Sequence, residues 1–170
     1  MAVMAMSGRR PAVLTTIGAL VFLGLSALAG GIALVLGVGA APPADWLDEI
    51  PLIDSWIVPG LVLGIGFGVG SLLCAYGMLR RPRWAWAGPA ERLTRHHWSW
   101  IFTILIGLGH VAWIGIELIY LPELSALQAI YGATGVALLL LPVHPSVRRY
   151  LALSPRNLES KVHAATAVRQ

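Results

Sequence analysis

The sequence predicts an all-α membrane protein, a bundle of four transmembrane helices, on three observations. Of its 170 residues, 57% are hydrophobic and only 12% are charged, where a soluble domain carries about 25% charged residues. The apolar residues gather in four stretches, each near or above the roughly 20 residues that a bilayer core requires. Those stretches show no two-residue alternation, the pattern from which membrane barrels are built. Twenty charged side chains cannot clothe an 18.1 kDa protein in water. A soluble enzyme, a disordered chain and a nucleic-acid module are excluded on that ground, despite an isoelectric point near 9.8.

The first span is expected over about residues 12–40, interrupted only by Thr15, Thr16 and Ser26. At 1.5 Å per residue the whole run from Pro11 to Ala41 is about 46 Å long as a helix, so it must tilt or protrude. Arg9 and Arg10, with Ala27-Leu28-Ala29 beyond them, also satisfy a secretory-signal rule. Gly30 to Ala41 continues apolar, however, where a soluble mature start would be polar, and the stretch reads as a retained span. The second span falls over about 56–79, the third over 98–121 and the fourth over 124–141, bracketed by Pro122 and Pro142. Residues 1–143 then form the membrane domain and 144–170 a basic tail.

Orientation follows from the basic residues. All twelve Lys and Arg lie in three places: Arg9 and Arg10; Arg80 to Arg95; and Arg148 to Arg169. Between the first two spans stand Asp45, Asp48, Glu49 and Asp54 instead, and the turn around Pro122 carries Glu123. Both termini and the middle connection are expected in the cytoplasm, with the protein multi-pass in a bacterial plasma (inner) membrane. Trp46, Trp56 and Tyr120 would anchor the outer boundary, and Trp84, Trp86, Trp98 and Trp100 the inner one. Membrane lipid is the first expected partner, since cytoplasmic arginines face anionic headgroups; nucleic acid is not one.

Gly60, Gly64 and Gly68 recur at four-residue spacing in the second span, making a groove that another helix can approach closely. The first span offers Ser26, Ala27, Gly30 and Gly31, so the two can pair within one bundle. A homo-oligomer or a partner membrane subunit is the alternative user of that face.

Ionisable groups inside a membrane are costly and mark candidate sites. Two qualify, His110 and Glu117, seven residues apart on one helical face with Trp113 between them. Matching depths across the Pro122 turn pairs Glu117 with Gln128, Trp113 with Tyr131 and His110 with Thr134. A polar ladder between the third and fourth spans is the ligand-binding expectation. The structural alternative is that Glu117 snorkels to the nearby boundary and His110 makes one neutral hydrogen bond.

No cofactor and no metal are implied. One intramembrane His falls short of the bis-His ligation of membrane haem, and the acidic loop fits no calcium-loop spacing. His96-His97 beside Arg95 reads as a basic juxtamembrane cluster rather than a metal site. Cys74 is alone, and no hydrolase, zinc-protease, P-loop or dinucleotide motif occurs, so no catalytic residue is assigned. The connection from Arg80 to His97 reads as a surface-hugging loop with a Glu91–Arg95 helical pair. In the tail, Ser154-Pro155 is a plausible start for a weak amphipathic helix.

The phrases Ile50-Pro51-Leu52-Ile53-Asp54-Ser55-Trp56-Ile57-Val58-Pro59-Gly60-Leu61, Trp113-Ile114-Gly115-Ile116-Glu117 and Leu127-Gln128-Ala129-Ile130-Tyr131 resemble those of a group of small bacterial four-helix integral membrane proteins. In that group a short acidic external loop enters a glycine-rich second helix through a Pro-Gly step. The resemblance covers roughly residues 15 to 142 and implies the fold without supplying chemistry. Gln is commoner there at the position of Glu117, so it implies no essential carboxylate. The expected function is a non-catalytic accessory or structural membrane component. The alternative is a small-solute carrier or ligand-binding membrane protein that uses the polar face between spans three and four.

Overall fold

Backbone donors in a bilayer have no water to satisfy them, so a spanning chain must close its hydrogen bonds internally. The computed structural model, which describes residues 9–39, 43, 47, 53–120 and 125–153, does this with helices. The elements are α1 (Arg9–Leu36), α2 (Ile57–Arg80), α3 (Gly88–Thr94), α4 (Trp98–Tyr120), α5 (Ala126–Val143) and α6 (Pro145–Leu151). Four of them, α1, α2, α4 and α5, are long and apolar enough to cross a membrane. The protein is an all-α, four-helix membrane bundle. Each long helix runs antiparallel to the next, and α1 closes the ring by packing on both α2 and α5. One end of the bundle carries Arg80, Arg81, Arg83 and Arg95 and is called the basic end below. At the far end α1 stops and α2 begins.

Three departures from the sequence reading have local reasons: the end of α1, the limits of α5 and the start of the tail. α1 ends at Leu36, four residues short of the expected limit. Gly37 takes a left-handed backbone (φ 65°) and the Val38 N–H returns to the Ala33 carbonyl at 3.1 Å, a Schellman closure that only a residue without a Cβ adopts cheaply. α5 begins after Ser125, whose side chain and that of Gln128 form a capping box. It then runs through Pro142 to Val143, and the Pro142 carbonyl accepts the Trp100 indole N–H at 2.9 Å.

The third difference lies at the start of the tail. Residues 144–153 are not loose: Pro145 opens a short helix that buries Val147 and Leu151 against the bundle. The His97 N–H donates to the Leu151 carbonyl at 2.8 Å, and the Leu153 N–H to the Arg95 carbonyl at 3.0 Å. This antiparallel clasp ties the segment after α5 to the connection before α4. The expected helix start at Ser154-Pro155 lies outside the described residues.

The fully buried apolar side chains gather toward the basic end: Leu20 and Leu23 of α1, Cys74 and Met78 of α2, Trp98 of α4, Leu138 of α5. Trp98 corrects its reading as a boundary anchor. It is fully buried and stacks on Trp84 with ring centroids 4.9 Å apart. Its ring fits because residue 77 is glycine, where a Cβ would stand 2.6 Å from it. Glu91 turns inward as well, its Oε1 accepting the Trp98 N–H at 3.4 Å, so this connection is a packed cap on the basic end rather than a surface loop.

The glycines of α2 pack inside the chain. A Cβ on Gly60 would lie 2.8 Å from the Gly31 carbonyl oxygen, and one on Gly68 would lie 2.8 Å from Leu28. Gly31 of α1 completes the seam, 2.6 Å being the distance from its hypothetical Cβ to the Gly64 Cα. One feature of α2 has no counterpart in the sequence reading: residues Val62–Val69 form a π-helix. Its wider turn changes the phase of everything that follows.

Candidate functional site

On α4 the buried residues Thr103, Gly107, His110 and Ile114 follow one another at spacings of four, three and four, the rhythm of a packed seam. That seam faces α5 through small residues. A Cβ on Gly107 would lie 3.0 Å from the Leu138 backbone, and one on Gly135 would lie 2.9 Å from Val111. At about 100° per residue, Trp113, Ile116 and Tyr120 sit roughly a quarter turn or more from the seam, and Glu117, about 20° from His110, stands at its edge on their side. They face α1 and the start of α2 instead.

There they close a cavity of about 220 Å³ with Leu34 of α1 and Trp56, Pro59 and Val62 at the beginning of α2. Its walls are apolar and aromatic but for one carboxylate. Glu117 Oε1 accepts the indole N–H of Trp113 one turn earlier on the same helix. That bond orients both side chains toward the cavity they line. Trp113 is held in turn by Phe67 of the π-helix, ring centroids 6.0 Å apart and edge to face.

His110 lies deeper, in an aromatic layer to which every long helix contributes. Phe67 approaches its ring edge-on at 5.2 Å and Tyr131 at 6.0 Å, and Phe22 of α1 stacks on Tyr131 at 5.8 Å. His110 is 2% exposed, and neither ring nitrogen finds a hydrogen-bond partner among the described residues. The single neutral hydrogen bond anticipated for it is not made there.

The ladder between the third and fourth spans is thus divided. His110 and Tyr131 meet, though not at matched positions, because His110 was paired with Thr134. Glu117 bonds back to Trp113 rather than across to Gln128. The Gln128 Oε1 accepts the Ser125 N–H at 2.9 Å and caps α5, and the Thr134 hydroxyl donates to the Ile130 carbonyl of its own helix at 2.8 Å. Trp56 and Tyr120, read only as boundary anchors, join Trp113 and Glu117 around the cavity. That Trp56 and Tyr120 fall at one end with Glu117 about a turn away was legible in the sequence, while the side of the bundle they share was not.

A second, smaller cavity of about 140 Å³ opens at the basic end among Arg81, Arg83, Glu91, His97 and Leu151. Its polar groups are engaged in the cap. His97 Nδ1 meets the Ser99 hydroxyl at 2.9 Å and Nε2 meets the Pro82 carbonyl at 3.1 Å, with Glu91 4.0 Å away. The Arg81 guanidinium lies 3.8 Å over the Tyr150 ring. His96 turns elsewhere and stacks on Trp100 at 4.6 Å.

Compared with family models, with curated proteins and with solved structures, the chain matches none. Its function has to be read from these cavities.

Proposed function

We propose that this protein binds a small, largely apolar ligand in the far-end cavity, as a non-catalytic carrier or ligand-binding component of a bacterial plasma membrane. The observation that carries this reading is the 220 Å³ space between α1, α2 and α4, apolar but for Glu117. A concave apolar site with one placed polar group is the usual form of a small-molecule pocket. The accessory-subunit reading drew its motive from the glycine face of α2, and that face is occupied by α1. With both termini in the cytoplasm, as the arginine distribution favours, the cavity lies at the outer end of the bundle, next to the start of α2.

Cysteine labelling tests both parts. In a Cys74→Ala background, single cysteines are placed at Asp54, Arg83, Val62 and Leu108, and intact cells are treated with a membrane-impermeant maleimide. Asp54→Cys should react at once and Arg83→Cys only after lysis; the reverse order overturns the orientation. Val62→Cys, 45% exposed in the cavity wall, should react faster than Leu108→Cys, 57% exposed away from the cavity. Equal, negligible rates at these two positions would mean a sealed, dry space and would remove the binding reading.

A further inference from the structure

Three features of the far-end cavity agree on the charge of its ligand. The first is Glu117 itself. Its carboxylate accepts one hydrogen bond among the described residues, from Trp113, and otherwise stands among apolar walls. A charge in such surroundings is costly unless it is paired. The second is composition. No Lys or Arg occurs between Arg10 and Arg80 or between Arg95 and Arg148, the two stretches that build this end of the bundle. The chain therefore supplies no Lys or Arg from them, while the same stretches carry Asp45, Asp48, Glu49, Asp54 and Glu123 in sequence. The third is the ring content of the wall: Trp56, Trp113 and Tyr120 line the same space as Glu117. Indole and phenol rings attract cations through their negative faces, and quaternary ammonium groups are commonly held in cages of such rings.

We infer that the cavity recognises an organic cation, an alkyl- or arylammonium whose charge pairs with Glu117 and whose hydrocarbon part fills the aromatic wall. This rests on the pocket reading above and names its ligand class. An anionic ligand would meet Glu117 with no Lys or Arg in the cavity wall to offset it. A hard metal ion calls for several oxygen ligands, and the cavity wall offers one carboxylate. A neutral apolar molecule would leave Glu117 without a counter-charge.

The test uses the full chain in lipid nanodiscs, with empty nanodiscs as the blank, and calorimetry with two probes of nearly equal shape. One is 3-hydroxyphenyltrimethylammonium; the other is its neutral isostere 3-tert-butylphenol. The cation should bind about tenfold more tightly or better, and Glu117→Gln, which keeps an acceptor for the Trp113 indole, should abolish most of that preference. Trp113→Leu should weaken the cation more than the isostere. Equal binding of both probes would overturn the inference and leave the pocket reading standing, and binding of neither would overturn both. A cation preference that survives Glu117→Gln would place the cation on the acidic connections and overturn the assignment to this cavity. Thr134→Val, which lies outside the cavity, should bind as the parent chain does.

Discussion

At the scale of single residues, the three regularly spaced glycines of α2 are not equivalent. Added Cβ atoms at Gly60 and Gly68 meet atoms of α1 at 2.8 Å, whereas one at Gly64 meets the Gly31 Cα at an ordinary 3.6 Å. The α1–α2 seam also depends on Gly31, whose Cβ would fall 2.6 Å from the Gly60 oxygen. Gly31→Ala and Gly60→Ala should each destabilise the bundle by about 1–3 kcal/mol through overpacking. Gly64→Ala should stay within about 0.5–1 kcal/mol. Unfolding in mixed detergent micelles measures the difference, and equal losses at all three positions would contradict the seam as described. The four-residue spacing itself was legible; which glycine is indispensable depends on where α1 approaches.

At the scale of elements, α6 behaves as part of the bundle although its sequence reads as the beginning of a charged tail. Arg148 and Arg149 dominate its composition, yet Val147 and Leu151, four residues apart, share one buried face. Leu151 also lends its carbonyl to His97. Truncating this side chain removes buried contacts without touching any backbone bond. Leu151→Ala should therefore cost roughly 2–5 kcal/mol, read as a lower midpoint of thermal unfolding, while the exposed Leu93→Ala should change it little. If both variants melted alike, the clasp would not be part of the cooperative unit. The π-stretch of α2 is the other element-scale feature. It brings Phe67 against both His110 and Trp113, and no 3.6-residue period foretells it, because the choice between α and π closure is made by packing against neighbours.

At the scale of the whole molecule, packing density is uneven along the bundle. Large apolar side chains fill the basic half, around Trp98, Leu20 and Leu138, and the cap of α3 and α6 closes it. Toward the far end the buried positions of α2 pass to Pro59, Gly60 and Gly64, and the 220 Å³ cavity lies among residues of α1, α2 and α4. A pocket at the end built of small residues, braced by an opposite end filled with large side chains, is the arrangement expected where ligand must enter. Because the close-approach glycine face is covered by α1, a gently released sample should give a native mass spectrum at one chain's mass, 18.1 kDa. A dominant dimer would show that a second apolar face drives assembly.

That the chain folds into four helices long and apolar enough to cross a membrane was determined by the sequence, since it follows from the one-dimensional distribution of apolar and charged residues along a rise of about 1.5 Å per residue. Depth was legible for the same reason, with Trp56 and Tyr120 read at one end, Glu117 about a turn from it and Trp113 about a turn deeper. The angular half of the problem was decided only by tertiary structure. The seam on α4 runs through Gly107, His110 and Ile114. Trp113 and Tyr120 stand to one side of it, toward α1 and α2; Glu117, at its edge, bonds to Trp113 and lines their cavity, and Gln128 caps its own helix. In lipid every face of a span is apolar, so hydropathy carries little signal of rotation about the helix axis. Small-residue contacts between helices must set it instead, and those contacts put a carboxylate and three aromatic rings around one cavity.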